Sequence, residues 1–410
     1  MATRDTRKGE IPPTAGLPPR WRDLAGVAPH GGDLGRAAAA FLGVEDVLAT
    51  CSGTAALVIA LTALQRMSGR RTVVVPGWTC PLVALAVAHC GLRLRVCDHA
   101  PDSIDFDPVE LAASCDGDTL AIVPTHLGGR VADTVAAIAI ARRAGAFVIE
   151  DAAQALGARR DGLPVGFAGD AGFYSLAVGK GLTLWEGGLL VSRDARLREA
   201  FARVSRELAP RRIGWELRRS LQLLAYHAAY RPSLLRHAYG APLRRALARG
   251  DVVAAVGDDL GPRIPLHAPG RWRQAVGARA FVRLPGFLDA CAAQARARMA
   301  RLARIEGIAV LADAPEHAGT WPFLLLRLRD EATRDAALAQ LWGEGLGVSR
   351  LFIHALPDYP SLRAIAGDAE VPNARALAAT TLTVSNSPWL DRDSFERICV
   401  VLESAGRRSP

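Results

Sequence analysis

The stretch FYSLAVGKGLTLWEGG, Phe173–Gly188, places a lysine in a chain that otherwise avoids lysine. Lysine and arginine together number 50, yet lysine occurs only at Lys8 and Lys180. A lysine that loses its proton attacks a carbonyl and forms an imine, whereas arginine stays protonated. Burial in apolar surroundings lowers the amine pKa and frees the nucleophile. A surface or phosphate-binding role is the plainer alternative, but arginine would serve either purpose. Lys180 is therefore read as an imine-forming lysine.

Upstream of that segment the chain alternates short apolar strands with Ala- and Leu-rich helices. RTVVVPG (Arg71–Gly77), LRLRVCD (Leu92–Asp98), LAIVPTH (Leu120–His126) and AFVIEDA (Ala146–Ala152) read as strands. Thr54–Arg66, Leu82–Cys90, Pro108–Ser114 and Val131–Ala144 read as the helices between them. This rhythm predicts a mostly parallel sheet covered by helices, with ligands beyond the carboxyl ends of the strands. Farther on, residues 201–265 are helical, aromatic and basic, interrupted by Pro232 and Pro242. A helix near Arg283–Arg304 then leads into a final part. There TWPFLLLRL and TTLTVSN read as strands, with helices near Thr333–Gly345 and Arg392–Ala405.

An imine-forming lysine points to pyridoxal 5'-phosphate, which also needs a phosphate cradle, a carboxylate on the pyridine nitrogen and support for the ring. CSGTAAL, Cys51–Leu57, leads straight into a helix, so the N–H groups of Gly53 and Thr54 would meet a phosphate, with the Ser175 hydroxyl beside them. Ordinary helix capping explains the same residues. Asp151 closes an apolar strand in VIEDAAQALG and either meets the pyridine nitrogen or caps the next helix.

Composition narrows the classes. Half of the 410 residues are hydrophobic and 22% are charged, as in a globular protein with a large core. No apolar run reaches the roughly 18–20 residues of a membrane span, and the charged, proline-broken start lacks a signal core. The seven cysteines show no CxxC pair, so reduced thiols in a cytoplasmic protein are expected, and no metal site. The net charge of +9 is carried by residues 201–250 and is joined to no nucleic-acid-reading motif, so no nucleic-acid partner is expected.

Taken in order, SGTAAL, VVVPGWT, VIEDAAQALGA, GDAGFYSL and the Lys180 segment ending EGG resemble the DegT/DnrJ/StrS-type aminotransferases, over about residues 35–200. The resemblance implies an α/β fold of the type I pyridoxal-phosphate transferases. Its large domain, residues 1–280 with the basic insertion, would hold a mostly parallel seven-stranded sheet. A linking helix and a smaller C-terminal α+β domain would complete the chain, residues 281–410. Lys180 would hold the cofactor and move protons, and Asp151 would pair with the pyridine nitrogen. Gln154 would lie near the phenolic oxygen, while Gly53, Thr54 and Ser175 would hold the phosphate. The implied activity is amination of a keto group on a nucleotide-linked sugar, with glutamate or glutamine as donor, by a homodimer. Another type I activity, on a cyclitol or as a lyase, or a non-catalytic binding protein, are the alternatives.

Three departures bear on the site. Where the family has a ring-stacking aromatic residue, this chain has Cys80, with Trp78 two residues earlier as stacker or as core. The family's downstream Asn-Tyr-Arg-like motif, which brings an asparagine to the phosphate from the partner subunit, has no clear match; Arg271 and Arg273 stand at the corresponding place as candidate substitutes. Residues 201–265 are longer than the family's equivalent and would lend arginines to a diphosphate-bearing substrate, lie on an anionic membrane, or form a solvated extension. His126 in PTHLGG ends a strand and either lines the pocket or is a buried structural histidine.

Overall fold

The structure is a computed structural model and describes residues 9–18, 20–258, 261, 263–314 and 316–407. Lys8 and residues 259, 260 and 262 of the basic stretch lie outside these. Seven strands form the principal sheet: β1 (Leu48–Thr50), β2 (Thr72–Pro76), β3 (Arg93–Cys97), β4 (Thr119–Ile122), β5 (Phe147–Asp151), β6 (Ala171–Ser175) and β7 (Gly188–Val191). Their order across the sheet is β1-β7-β6-β5-β4-β2-β3. The block from β3 to β6 is parallel, and β7 runs antiparallel to both neighbours. The four strands read from sequence are present; three are trimmed by a residue at each end, while β4 starts one residue earlier, at Thr119, and ends at Ile122.

The runs of Val, Ile and Leu in β2, β4 and β5 make these strands because the sheet is covered on both faces, leaving no solvent side to demand alternation. Helix α1 (Gly53–Ser68) lies across it, with Leu57, Leu61 and Leu64 no more than 1% exposed. Each such leucine contributes about 1.5–3 kcal/mol. Ser52 caps the helix by accepting the Ala55 N–H at 3.0 Å, and Gly69 ends it at φ +74°. Helix α2 (Pro81–His89) begins directly after Cys80. The helix read at Val131–Ala144 starts at Val135, since residues 131–134 lie outside it and Ala132 donates its N–H to His126.

Pro232 sits in the first turn of the helix Pro232–Leu235, where a missing N–H costs nothing, whereas Pro242 follows a π-helical turn, Arg236–Gly240, that runs without a break into the helix Ala241–Ala248. They come after α3 (Ile213–Ala229); α4 (Arg271–Phe281) and the long α5 (Leu284–Leu302) lie farther along the chain. The C-terminal part holds an antiparallel sheet of β8 (Ile308–Val310), β9 (Phe323–Leu328), β10 (Val348–Ser349) and β11 (Thr381–Ser385), in the order β8-β9-β11-β10. An N-terminal strap joins the two parts. Ile11 N–H donates to Gly345 O, Ala15 N–H to Pro322 O, and Leu17 N–H to Gly181 O at 3.1 Å, beside Lys180.

Candidate active site

Strand pairing assembles the site. Thr50 of β1, Gly188 of β7 and Ser175 of β6 lie in one register row, so the turn into α1 abuts the end of β6. The backbones meet so closely that a Cβ on Gly188 would stand 2.3 Å from the Ser52 carbonyl oxygen. A Cβ on Gly53 would lie 3.1 Å from Ser175 Cβ. Gly53 and Thr54 open α1, where N–H groups lack intrahelical acceptors and face a ligand. The result is a cradle of hydroxyls and backbone donors sized by missing side chains.

Gly53, Thr54 and Ser175 line one cavity of about 720 Å3, measured out to its open mouth, together with Asp151, Gln154 and Lys180. Asp151 ends β5 at the carboxyl edge of the sheet and is 4% exposed. Its Oδ1 accepts the Ala153 N–H at 3.0 Å, so the side chain does cap its own turn while its carboxylate borders the cavity. Burial pushes that carboxyl up to about 6, against the pull of the Ala153 N–H and of the Lys180 charge. Lys180 is half-buried, and desolvation lowers its amine below the ordinary lysine value. The loop that carries it is pinned at its base by Leu176 N–H to Gly187 O and Leu184 N–H to Leu176 O, both 2.8 Å. Gly179, at φ +77°, sits against Thr14 of the strap.

Gln154 Oε1 accepts the Gly128 N–H at 2.7 Å, which leaves its NH2 as a donor for the cavity. His126 lines the cavity and is 1% exposed. Its Nδ1 accepts from Ala132 N–H at 3.0 Å, so its proton is on Nε2, 2.9 Å from Glu150 Oε2. Burial pushes the Glu150 carboxyl up, but His126 and the N–H groups of Gly169 and Gly166 outweigh it and hold the group below its usual value. Both ring nitrogens are thus engaged away from any ligand.

Trp78 does not line the cavity. It is 1% exposed in the main core, its indole N–H reaches Phe352 O at 3.3 Å, and its ring meets Phe352 edge-on. As a ring-stacking candidate it is corrected to core, because the turn points it into the sheet–helix interface. Thr79, Cys80, Leu82 and Val83 from this turn and the helix after it line the cavity, with Phe352. Phe352, from the C-terminal part, had no signal in the sequence: RLFIH resembles any strand end. Burial pushes the Cys80 thiol up to about 11, so it is protonated.

Arg273 is engaged within its own chain. Its guanidinium binds Glu216 through Nε and Nη2 at 2.7 and 2.6 Å, and also reaches Glu186 O. Arg271 is exposed. Arg219 and Arg244 of the basic stretch likewise pair internally, with Glu186 and Glu10, each at 2.8 Å.

These residues fit pyridoxal phosphate. A buried carboxylate with no ion-pair partner among the described residues suits a pyridinium nitrogen, a desolvated amine suits an aldehyde, and the glycine-sized cradle suits a phosphate.

Comparison with known proteins agrees. Residues 27–212 match the model of the DegT/DnrJ/EryC1/StrS aminotransferase family. The chain is 36% identical over 159 residues to GDP-perosamine synthase of Caulobacter vibrioides, covering 39% of this chain and 43% of that protein. It is 38% identical over 160 residues to L-glutamine:2-deoxy-scyllo-inosose aminotransferase of Streptomyces paromomycinus, covering 39% and 38%. The matches span less than half the length of these curated relatives. The fold extends farther: DesI, solved in the presence of its TDP-sugar product, superposes with TM-score 0.72 at 22% identity over 98% of this chain and 94% of that one. The putative sugar aminotransferase Spr1654 of Streptococcus pneumoniae, in its PLP-form, gives 0.72 at 17% identity over 97% and 99%. Residues 27–212, which carry the lysine, the aspartate and the glycine cradle, are thus the part of the chain that is similar to the DegT/DnrJ/EryC1/StrS aminotransferase family.

Proposed function

We propose that the chain is a pyridoxal-phosphate-dependent aminotransferase that aminates a keto group on a nucleotide-linked sugar or a cyclitol, with glutamate or glutamine as donor. The observation that carries this reading is the meeting of Lys180 and Asp151 in one cavity with the Gly53–Ser175 cradle. The names of the matched relatives, GDP-perosamine synthase and a scyllo-inosose aminotransferase, support the substrate class.

Bound pyridoxal phosphate supplies an electron sink for the carbon that gains or loses the amino group. The chain's residues do the rest. Asp151, ionised beside a pyridinium nitrogen, would keep the ring protonated there. Gly53, Thr54 and Ser175 hold the phosphate through backbone and hydroxyl donors. Gln154 orients the ring through its free NH2, its carbonyl being fixed by Gly128. Lys180 would anchor the cofactor, and its Nζ would hold and move a proton between the two reacting carbons. Burial lowers its pKa from the ordinary lysine value, which shifts the amine toward its neutral, proton-accepting form.

Lys180 is the single lysine or arginine lining the cavity among the described residues. Among the described residues no other cation lines the cavity beside the cradle, which supports a homodimer whose partner completes the site; a cytoplasmic location is proposed with it. Light scattering checks the dimer. For the activity, glutamate or glutamine added to the yellow holoenzyme should bleach its visible band, and a keto sugar should restore it. A band that neither donor changes would remove the aminotransferase reading.

A further inference from the structure

Helix α3 is held to the molecule by one face only. On the inner side Glu216 meets Arg273, Arg219 meets Glu186, and Leu223 and Tyr226 enter the core. On the outer side Ile213, Leu217 and Leu221 recur at one-turn spacing and are 84%, 61% and 58% exposed. A row of large aliphatic side chains in water marks an interaction surface. Near the far end of the helix Trp21, 65% exposed, meets His227 edge-on with ring centroids 4.3 Å apart, and exposed Arg20 and Arg22 flank it.

The charge around the row has one sign. Arg211 and Arg212 just before the helix, and Arg218 in its first half, are exposed. Glu216 is the one acid between residues 208 and 250, and Arg273 already holds it. A two-fold contact between copies centred on this helix would set arginines against arginines with no acid to relieve them. An anionic surface attracts the same pattern.

We propose that this face docks on an anionic lipid bilayer. Helix α3 lies in the interfacial plane, with Ile213, Leu217 and Leu221 in the acyl boundary and Arg211, Arg212 and Arg218 on headgroup phosphates. Trp21, between two arginines, sits at headgroup depth. The contact is peripheral: among the described residues no helix is long and apolar enough to cross a membrane.

The test is co-sedimentation of the full-length holoenzyme with phosphatidylcholine vesicles, with and without phosphatidylglycerol. Wild type should pellet with the anionic vesicles, stay in solution with the neutral ones, and be released by salt. Leu217→Ser with Leu221→Ser, and separately Arg211→Glu with Arg212→Glu and Arg218→Glu, should each weaken binding about tenfold or more. All five side chains are exposed, so circular dichroism and the visible band should not change. Failure of wild type to bind anionic vesicles overturns the proposal, as does wild-type binding by the arginine variant. If wild type ignores vesicles and Leu217→Ser with Leu221→Ser lowers the mass in light scattering, the face is an interface between copies and the proposal fails.

Discussion

Arg219 Nε lies 2.8 Å from Glu186 Oε2, tying helix α3 to the segment just beyond Lys180. Glu186 also receives the Trp215 indole N–H at 3.3 Å and stands 3.4 Å from His267 Nε2. The residue before it, Trp185, is held at φ +66° and packs on Tyr226 of the same helix. A left-handed tryptophan is strained, and such strain persists only where the surroundings hold it.

Loss of this pair should therefore loosen the lysine loop. Arg219→Ala removes the arginine from a carboxylate that is only 12% exposed, leaving the Trp215 N–H and His267 beside it, and should cost about 1.5–3 kcal/mol at neutral pH. Burial pushes the Glu186 carboxyl up, but His267, Arg219 and Arg273 outweigh it and hold it below its ordinary 4.5. A depressed carboxyl stabilises the fold above 4.5, and that contribution is lost as pH falls through the folded value. Urea unfolding of wild type and Arg219→Ala should thus converge toward acid. Equal stability at neutral pH would show the pair to be idle.

Asp151 titrates in the opposite sense. Its carboxyl rises from 3.8 unfolded to about 6 in the cofactor-free fold. Below 3.8 it is neutral in both states and costs nothing. As pH rises from 3.8 the unfolded state ionises first, so the cost grows up to about pH 6 and stays on the order of 2–3 kcal/mol above it. Cofactor-free Asp151→Asn should be more stable than wild type at neutral pH and equal near pH 3.8, yet transaminate orders of magnitude more slowly when loaded. A destabilised apo variant at neutral pH would contradict this role of the carboxylate.

Gly188→Ala places a methyl against Ser52 and Gly53, where neither neighbour is the end of a flexible side chain. The backbone must shift, at about 1–3 kcal/mol, and the cradle opens. Cofactor dissociation tracked by absorbance should be faster than in wild type. Unchanged retention would show that the cradle tolerates the shift.

Much of this site is legible in the chain because its determinants are local. Lys180 stands out against the arginines, Asp151 closes an apolar strand, and Ser52-Gly-Thr starts a helix, each within a few residues of the relevant turn. The features that escaped depend on pairing across long stretches of chain. Phe352 reaches the cavity from the C-terminal part, and Arg273, read as standing near a phosphate-binding motif, finds Glu216 on a helix 57 positions earlier. Trp78 is the instructive case, since sequence spacing places it beside the site while side-chain direction turns it inward.

Trp78→Leu should therefore behave as a core mutation, with a loss of about 2–3 kcal/mol in urea and an unchanged visible band. A shifted band at preserved stability would return the indole to the cofactor.

Every step of the proposed chemistry depends on Lys180 holding the cofactor. Borohydride reduction of the holoenzyme, then peptide mass mapping, should leave a pyridoxyl group on the peptide containing Lys180 and none on Lys8. Lys180→Arg should keep the fold but show neither the label nor the borohydride-sensitive band. A label on Lys8, or a persistent band in Lys180→Arg, would contradict the assignment.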